Sequence, residues 1–221
     1  MLASGSAFVG TDAFAGAWVH EPGKGQTINN VARETGEFGE TWRSDMLSEF
    51  GIYKGWGGRL KIEDQIRLDE DVDDRFSAEI GLQRSFAWGP RGALSVSASV
   101  LMAEALEGPQ CEGTGYETRI GAGQSFAFGE RTAFVNVETA WRERGGCGRF
   151  VTEAAVGMDL GWSFRAIGKV YGEQGDGARS LKAEAMLLYD MDGYSAGFGY
   201  RRELSGAFEE EGWVATIWSR F

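Results

Sequence analysis

Proline is scarce in this chain of 221 residues, 3 against 34 glycines, and there are only one histidine and two cysteines. No stretch of 18 or more residues is continuously apolar. Each shortage narrows the reading. Without such a stretch the chain has no transmembrane helix. Scarce proline leaves the backbone free to donate along sheet ladders, which proline would interrupt. Positive charge is also short: 22 Lys and Arg stand against 33 Asp and Glu, a net charge of −11. No basic patch is present to displace counterions, so nucleic acid is not an expected partner. Two cysteines without a histidine nearby make a poor metal site. The acidic run Asp69 to Asp74 lacks EF-hand spacing, and the glycine-rich piece Gly172 to Gly177 lacks the Lys-Ser/Thr of a phosphate loop. No metal or cofactor is expected.

What the chain has is glycine, aromatics (8 Trp, 6 Tyr, 14 Phe) and period-two alternation. Leu94, Val96, Ala98, Val100 and Met102 alternate with Ser95, Ser97 and Ser99. Trp42, Met46, Phe50 and Ile52 alternate with Arg43, Asp45 and Glu49, with Ser44 and Ser48 on their own side. Alternation of this kind marks strands with one apolar face. Read along the chain it predicts about twelve strands, the first at Asp12 to His20, followed by a polar loop from Glu21 to about Gly39. Asp64, on an apolar face, fits worst. Short turns such as Gly55 to Gly58, Trp88 to Gly92 and Asp190 to Gly193 follow even-numbered strands, and longer polar connections follow odd-numbered ones. Aromatics gather at strand ends, where membrane belts sit.

The last nine residues, Trp213-Val214-Ala215-Thr216-Ile217-Trp218-Ser219-Arg220-Phe221, are the right length for a tilted bilayer crossing. This stretch resembles the closing strand of Gram-negative outer-membrane β-barrels, although Ser219 stands where that signal usually has an apolar residue. The resemblance implies an all-β fold: a closed antiparallel transmembrane β-barrel with short periplasmic turns, long extracellular loops and both termini periplasmic. It also implies partners: outer-membrane lipid and lipopolysaccharide, and the barrel-assembly machinery through the C-terminal strand. Residues 1–11 are read as an N-terminal periplasmic segment and 12–221 as the barrel. The start lacks a secretory signal pattern, so the expectation is a mature form or the C-terminal part of a longer precursor.

The face opposite the lipid is expected to line the lumen. It carries Arg43, Lys61, Arg67, Arg119, Arg165, Lys169, Lys182 and Arg201, against Asp45, Glu49, Glu63, Glu79, Glu117, Glu138, Glu153, Asp159 and Glu184. A near-neutral wall of this kind suits a narrow channel for small polar solutes or ions. The alternatives are a non-transporting anchoring barrel or the terminal barrel of a larger exporter. A third reading is a lipid-modifying enzyme, because outer-membrane lipases, lipid A deacylases and palmitoyl transferases share the architecture. They use a histidine at the outer rim. His20, expected near that rim, shows no triad pattern, so no catalytic residue is assigned. Glu104, Glu107, Glu112, Glu203, Glu209 to Glu211 and the Asp69 run are expected to make the mouth cation-selective. Cys111 and Cys147 fall in neighbouring loops and, in an oxidising compartment, are expected to form a disulfide.

Overall fold

The computed structural model describes residues 17–36, 39–68, 74–104, 111, 113–175, 178–206 and 209–221. Twelve strands follow one another: β1 (Gly25–Gly36), β2 (Gly39–Tyr53), β3 (Trp56–Arg67), β4 (Arg75–Trp88), β5 (Gly92–Glu104), β6 (Gly113–Phe128), β7 (Arg131–Arg144), β8 (Cys147–Gly161), β9 (Phe164–Gly175), β10 (Ala178–Met191), β11 (Tyr194–Gly206) and β12 (Glu211–Arg220). Each pairs antiparallel with its sequence neighbours, and β1 pairs with β12 from Gln26↔Arg220 to Thr35↔Glu211, so the sheet closes into a barrel. Closure satisfies the backbone of both edge strands, which an open sheet in lipid would leave unpaired.

The first strand differs from the expectation. It lies at Gly25–Gly36, inside the stretch read as a loop. Residues 12–16 lie outside the described residues, and 17–24 form no strand. The misreading has a physical cause. In β1 the apolar residues Ile28 and Ala32 point inward and are buried, while Thr27, Asn29 and Arg33 lie on the opposite face. Gln26, Asn30 and Glu34 share the inner face and Val31 lies outward, so β1 lacks the clean alternation of the other strands.

One rim carries five turns of two or three residues and both ends of the barrel, where Gly25 N–H donates to the Phe221 carbonyl at 2.9 Å. Connections at the other rim run from two to eight residues, the longest at 68–74 and 105–112. The tight β8–β9 turn has positive φ at Trp162 and Ser163, the geometry a two-residue hairpin needs to match strand twist.

The outward face is apolar through its middle, with Ile80, Val100, Ile120, Val137, Val156 and Ile217 all exposed. Aromatics ring both ends: Trp56, Trp88, Phe128, Tyr194 and Phe221 at the turn rim, and Trp42, Tyr116, Trp141, Phe150 and Trp213 at the other. Arg84 points outward near the turn rim, 5.4 Å from the ring centroids of both Trp56 and Phe86, and donates to the Lys54 carbonyl. Its stem lies in the apolar band while its head reaches the aromatic belt. Asp64 is outward-facing, between Ser44 and Phe76 on the flanking strands.

Cys111 and Cys147 are bonded, with Cα atoms 5.4 Å apart. The bridge ties the β5–β6 connection to the start of β8 across 36 residues of chain. Closing a loop of that size removes unfolded-state entropy worth about 3–4 kcal/mol.

Two measurements test this fold. Val137→Arg should cost about 2–4 kcal/mol in a vesicle-folding titration, because the charge sits on the lipid face at mid-strand. Ser97→Glu, inward and opposite Arg119, should cost much less; equal losses would mean the faces are reversed. Non-reducing mass spectrometry should show one bridge, and Cys147→Ser should lower stability by up to the loop-closure term.

Candidate functional site

Inward positions alternate with lipid-facing ones, so the wall must accommodate every charge the inner face carries. It does so by pairing. Arg119 on β6 donates from Nε and Nη2 to Glu117 Oε1, at 3.0 and 2.6 Å, and from Nη1 to Glu138 Oε2 on β7 at 2.7 Å. The second Glu117 oxygen accepts from Arg142 Nε at 2.9 Å. Arg59 on β3 reaches across the lumen to Glu138, at 3.8 Å, and lies 3.8 Å from Glu79 and 4.0 Å from Glu49.

A second group spans the seam. Arg201 on β11 holds Glu184 on β10 at 2.7 Å and Glu34 on β1 at 3.0 Å, bracketing β12. Lys169 approaches the same Glu184 at 3.6 Å. Arg43 holds Asp45 and Glu63, with Lys61 3.2 Å from Glu63. Nearer the turn rim Arg165 joins Asp159 and Asp190. Ion pairs this deep in the wall repay desolvation only when their geometry is good, and losing one partner leaves the other exposed to the full penalty.

These groups surround a cavity of about 300 Å³. Of the lumen residues expected from sequence, Arg43, Asp45, Lys61, Glu63, Arg119, Glu153, Lys169, Lys182 and Arg201 line it. Glu49, Glu79, Glu117, Glu138, Arg165 and Glu184 are buried within the wall network instead. Arg67 closes the end of β3 away from the turn rim, where its amide donates to Asp74 Oδ1 at 3.1 Å. Arg59, Arg75, Arg142, Arg144 and Tyr171 also line the cavity and were missed. Parity would have found Arg59 and Arg142, which continue the inward faces of β3 and β7 just beyond the ends read for them.

The lining changes character toward the turn rim. Ile28, Leu47, Phe134, Ile167 and Trp218 form the apolar floor of the cavity. Nearby, Ile28 and Trp218 join Ala32, Met186, Leu188 and Val214 in one buried cluster. On the far side of that half, residues 17–20 lie inside the barrel. Ala17 is fully buried, its amide donates to Asn136 Oδ1 at 3.3 Å, and its carbonyl accepts from Ser85 Oγ. His20 therefore lies at the turn rim, whereas it was expected at the rim of the longer connections. Burial pushes its imidazole below the ordinary histidine range, so it is neutral at pH 7.

Part of the acidic mouth lies outside the described residues: 69–73, 107 and 112. Three of the remaining glutamates are engaged. Glu210 pairs with Lys182, Glu203 accepts from Ser180, and Glu211 accepts from Tyr200.

No protein-family model and no curated protein matches the chain. Solved structures do. A KdgM porin, in complex with disordered oligogalacturonate, is similar at a TM-score of 0.63 and 6% identity, over 89% of this chain and 99% of that one. The NanC porin is similar at 0.59 and 9% identity, over 86% and 98%. The COG4313 outer membrane channel from Pseudomonas putida F1 is similar at 0.54 and 7% identity, over 95% and 99%. The fold is that of the outer-membrane β-barrels. At these identities the likeness extends to architecture, and the lining has to be read on its own chemistry.

The pairing makes a sharp contrast testable. Arg119→Met should destabilise the barrel by about 3–5 kcal/mol in a denaturant titration, because it strips a direct partner from both Glu117 and Glu138. Lys24→Ala, which removes the exposed Glu21 pair at 2.9 Å, should change stability by at most about 1 kcal/mol.

Proposed function

We propose that this chain is a narrow outer-membrane channel for small polar solutes or ions, with its turn rim and both barrel ends in the periplasm. The observation that carries this reading is the cavity lining. Among the described residues, ten Arg and Lys face it against five Asp and Glu. The remaining inward carboxylates, such as Glu117 and Glu184, are buried beneath the guanidinium groups they pair with. A solute in the cavity therefore meets positive groups first. Small anions or carboxylate-bearing solutes suit that lining, and this replaces the cation preference expected from the acidic mouth. A barrel of the same fold, the KdgM porin, is described with oligogalacturonate, a ligand of that chemical class.

A second reading, a non-transporting anchoring barrel, is favoured by one observation: part of the lumen toward the turn rim is occupied by the apolar cluster and by residues 17–20. In either reading the outward Trp213, Ile217 and Phe221 of the last strand meet lipid and present the surface offered to the assembly machinery. Lipopolysaccharide would surround the opposite rim. The segment before β1 belongs, on this reading, to the periplasmic end.

Planar-bilayer recording under a salt gradient separates the readings. Modest anion selectivity is expected near 0.01 M salt, where the Debye length is about 30 Å, fading near 1 M, where it is about 3 Å. Arg75→Gln with Arg142→Gln should reduce it without abolishing current. A cation preference would refute the lining argument, and absence of conductance would favour the anchor.

A further inference from the structure

The barrel wall is indented where residues 17–21 cross it. Gly51 on β2, Gly57 on β3 and Gly123 on β6 all face inward at the turn-rim half. A Cβ on Gly123 would overlap the indole of Trp18, one on Gly51 would overlap the carbonyls of His20 and Glu21, and one on Gly57 would lie 3.0 Å from a Val19 methyl. Glycine in a strand interior sacrifices packing and marks close approach by another segment. Here the approaching segment is the chain's own. It is tethered at the rim by Gly23 N–H to the Gly51 carbonyl at 3.1 Å and by Gly51 N–H to the Lys24 carbonyl at 2.9 Å. Its inner end is held by the Ser85 and Asn136 side chains. Asn136 Nδ2 in turn donates to Glu138 Oε1 at 3.1 Å, which links the segment to the charged wall.

We infer that Ala17 to His20 form a plug, seated in this glycine-lined trough, whose presence limits conduction through the barrel. The inference rests on the channel reading above. Three features fit a displaceable element. All four side chains are neutral at pH 7. The segment belongs to no strand, so the ladder β1 to β12 stays fully paired when it leaves. Among the described residues its inner end is held by two side-chain hydrogen bonds, each worth on the order of 1 kcal/mol net. Release also empties a seat across β2, β3, β4, β6 and β7, nearly half of the wall.

The test uses the full chain with its native disulfide, so that an introduced cysteine is the one free thiol. Ala17→Cys should react with a maleimide-linked polyethylene glycol at least about tenfold more slowly than Glu21→Cys, which is exposed at the rim. Adding Trp18→Gly, outside the ladder, or Gly123→Val in the wall, should bring Ala17→Cys to the control rate. In planar bilayers the same two variants, in the chain without the added cysteine, should raise single-channel conductance several-fold. Trp18→Gly carries the test if Gly123→Val does not assemble. Labelling of Ala17→Cys at the control rate in the otherwise native chain would overturn the seat. Protection that is relieved without any change in a measurable conductance would overturn the plugging role alone. If no variant conducts, released or not, the channel reading falls and the plugging role with it, while the labelling result still decides the seat.

Discussion

Closure of the sheet between β1 and β12 is the constraint on which the rest depends. In a bilayer each unpaired backbone donor or acceptor costs several kcal/mol, so a strand edge is untenable and the first strand must find the last. The ladder from Gln26↔Arg220 to Thr35↔Glu211 does this. Closure then fixes the two faces. Once the register is set, every odd or even position in a strand is committed to lipid or lumen, and a one-residue slip would exchange them all. Trp218, inward on β12, covers the seam from inside, with its indole N–H donating to Thr216 Oγ1 at 2.9 Å.

Barrel size determines what the interior must contain. Eight strands are filled by ordinary side chains, and sixteen or more leave a water-filled channel. Twelve leave a space too wide for small residues to fill and too narrow for opposing charges to ignore one another. Long arginine side chains suit that gap. Arg59 extends from β3 toward Glu138 on β7, and Arg201 bridges from β11 to Glu34 on β1. These contacts skip strands, so they brace the wall across its hydrogen-bonding direction as well as neutralising it. The remaining interior is divided: a charged chamber at one end and an apolar floor with an inserted segment at the other.

The outward face was legible from sequence because lipid imposes one rule on it. Val96, Val100, Val137, Val156 and Ile217 are exposed on the side that alternation assigned to lipid. The inner face obeys no single rule. In the charged half, polar residues alternate as expected, which is why Arg119, Glu117, Lys169 and Glu184 could be assigned to it. In the turn-rim half, Ile28, Phe134 and Leu188 point inward, and there an apolar residue no longer signals lipid. β1 was lost for this reason: its most regular apolar residues face the wrong way for a membrane strand. The same ambiguity made Ala17 to His20, which end inside the lumen, read as a strand. The cross-lumen partners of Arg59 were beyond sequence reading altogether, since parity gives a face and not a distance.

The place where the N-terminal segment sits follows from the same division. Ala17, Trp18, Val19 and His20 bring no countercharge. Had they entered the charged chamber, they would have separated arginines from their carboxylates, and a buried ion pair that loses a partner costs about 3–5 kcal/mol. Entering at the turn rim, they meet serine, asparagine and glycine, and the side-chain hydrogen bonds that Ala17 makes among the described residues involve neutral groups. Burial of the Trp18 ring and the Val19 methyls against Gly123 and Gly57 favours the seated state, while the outer ion pairs are left intact. The charged chamber and the glycine trough are therefore adjoining parts of one lumen, linked through Asn136: the first gathers the ion pairs, and the second seats the N-terminal segment.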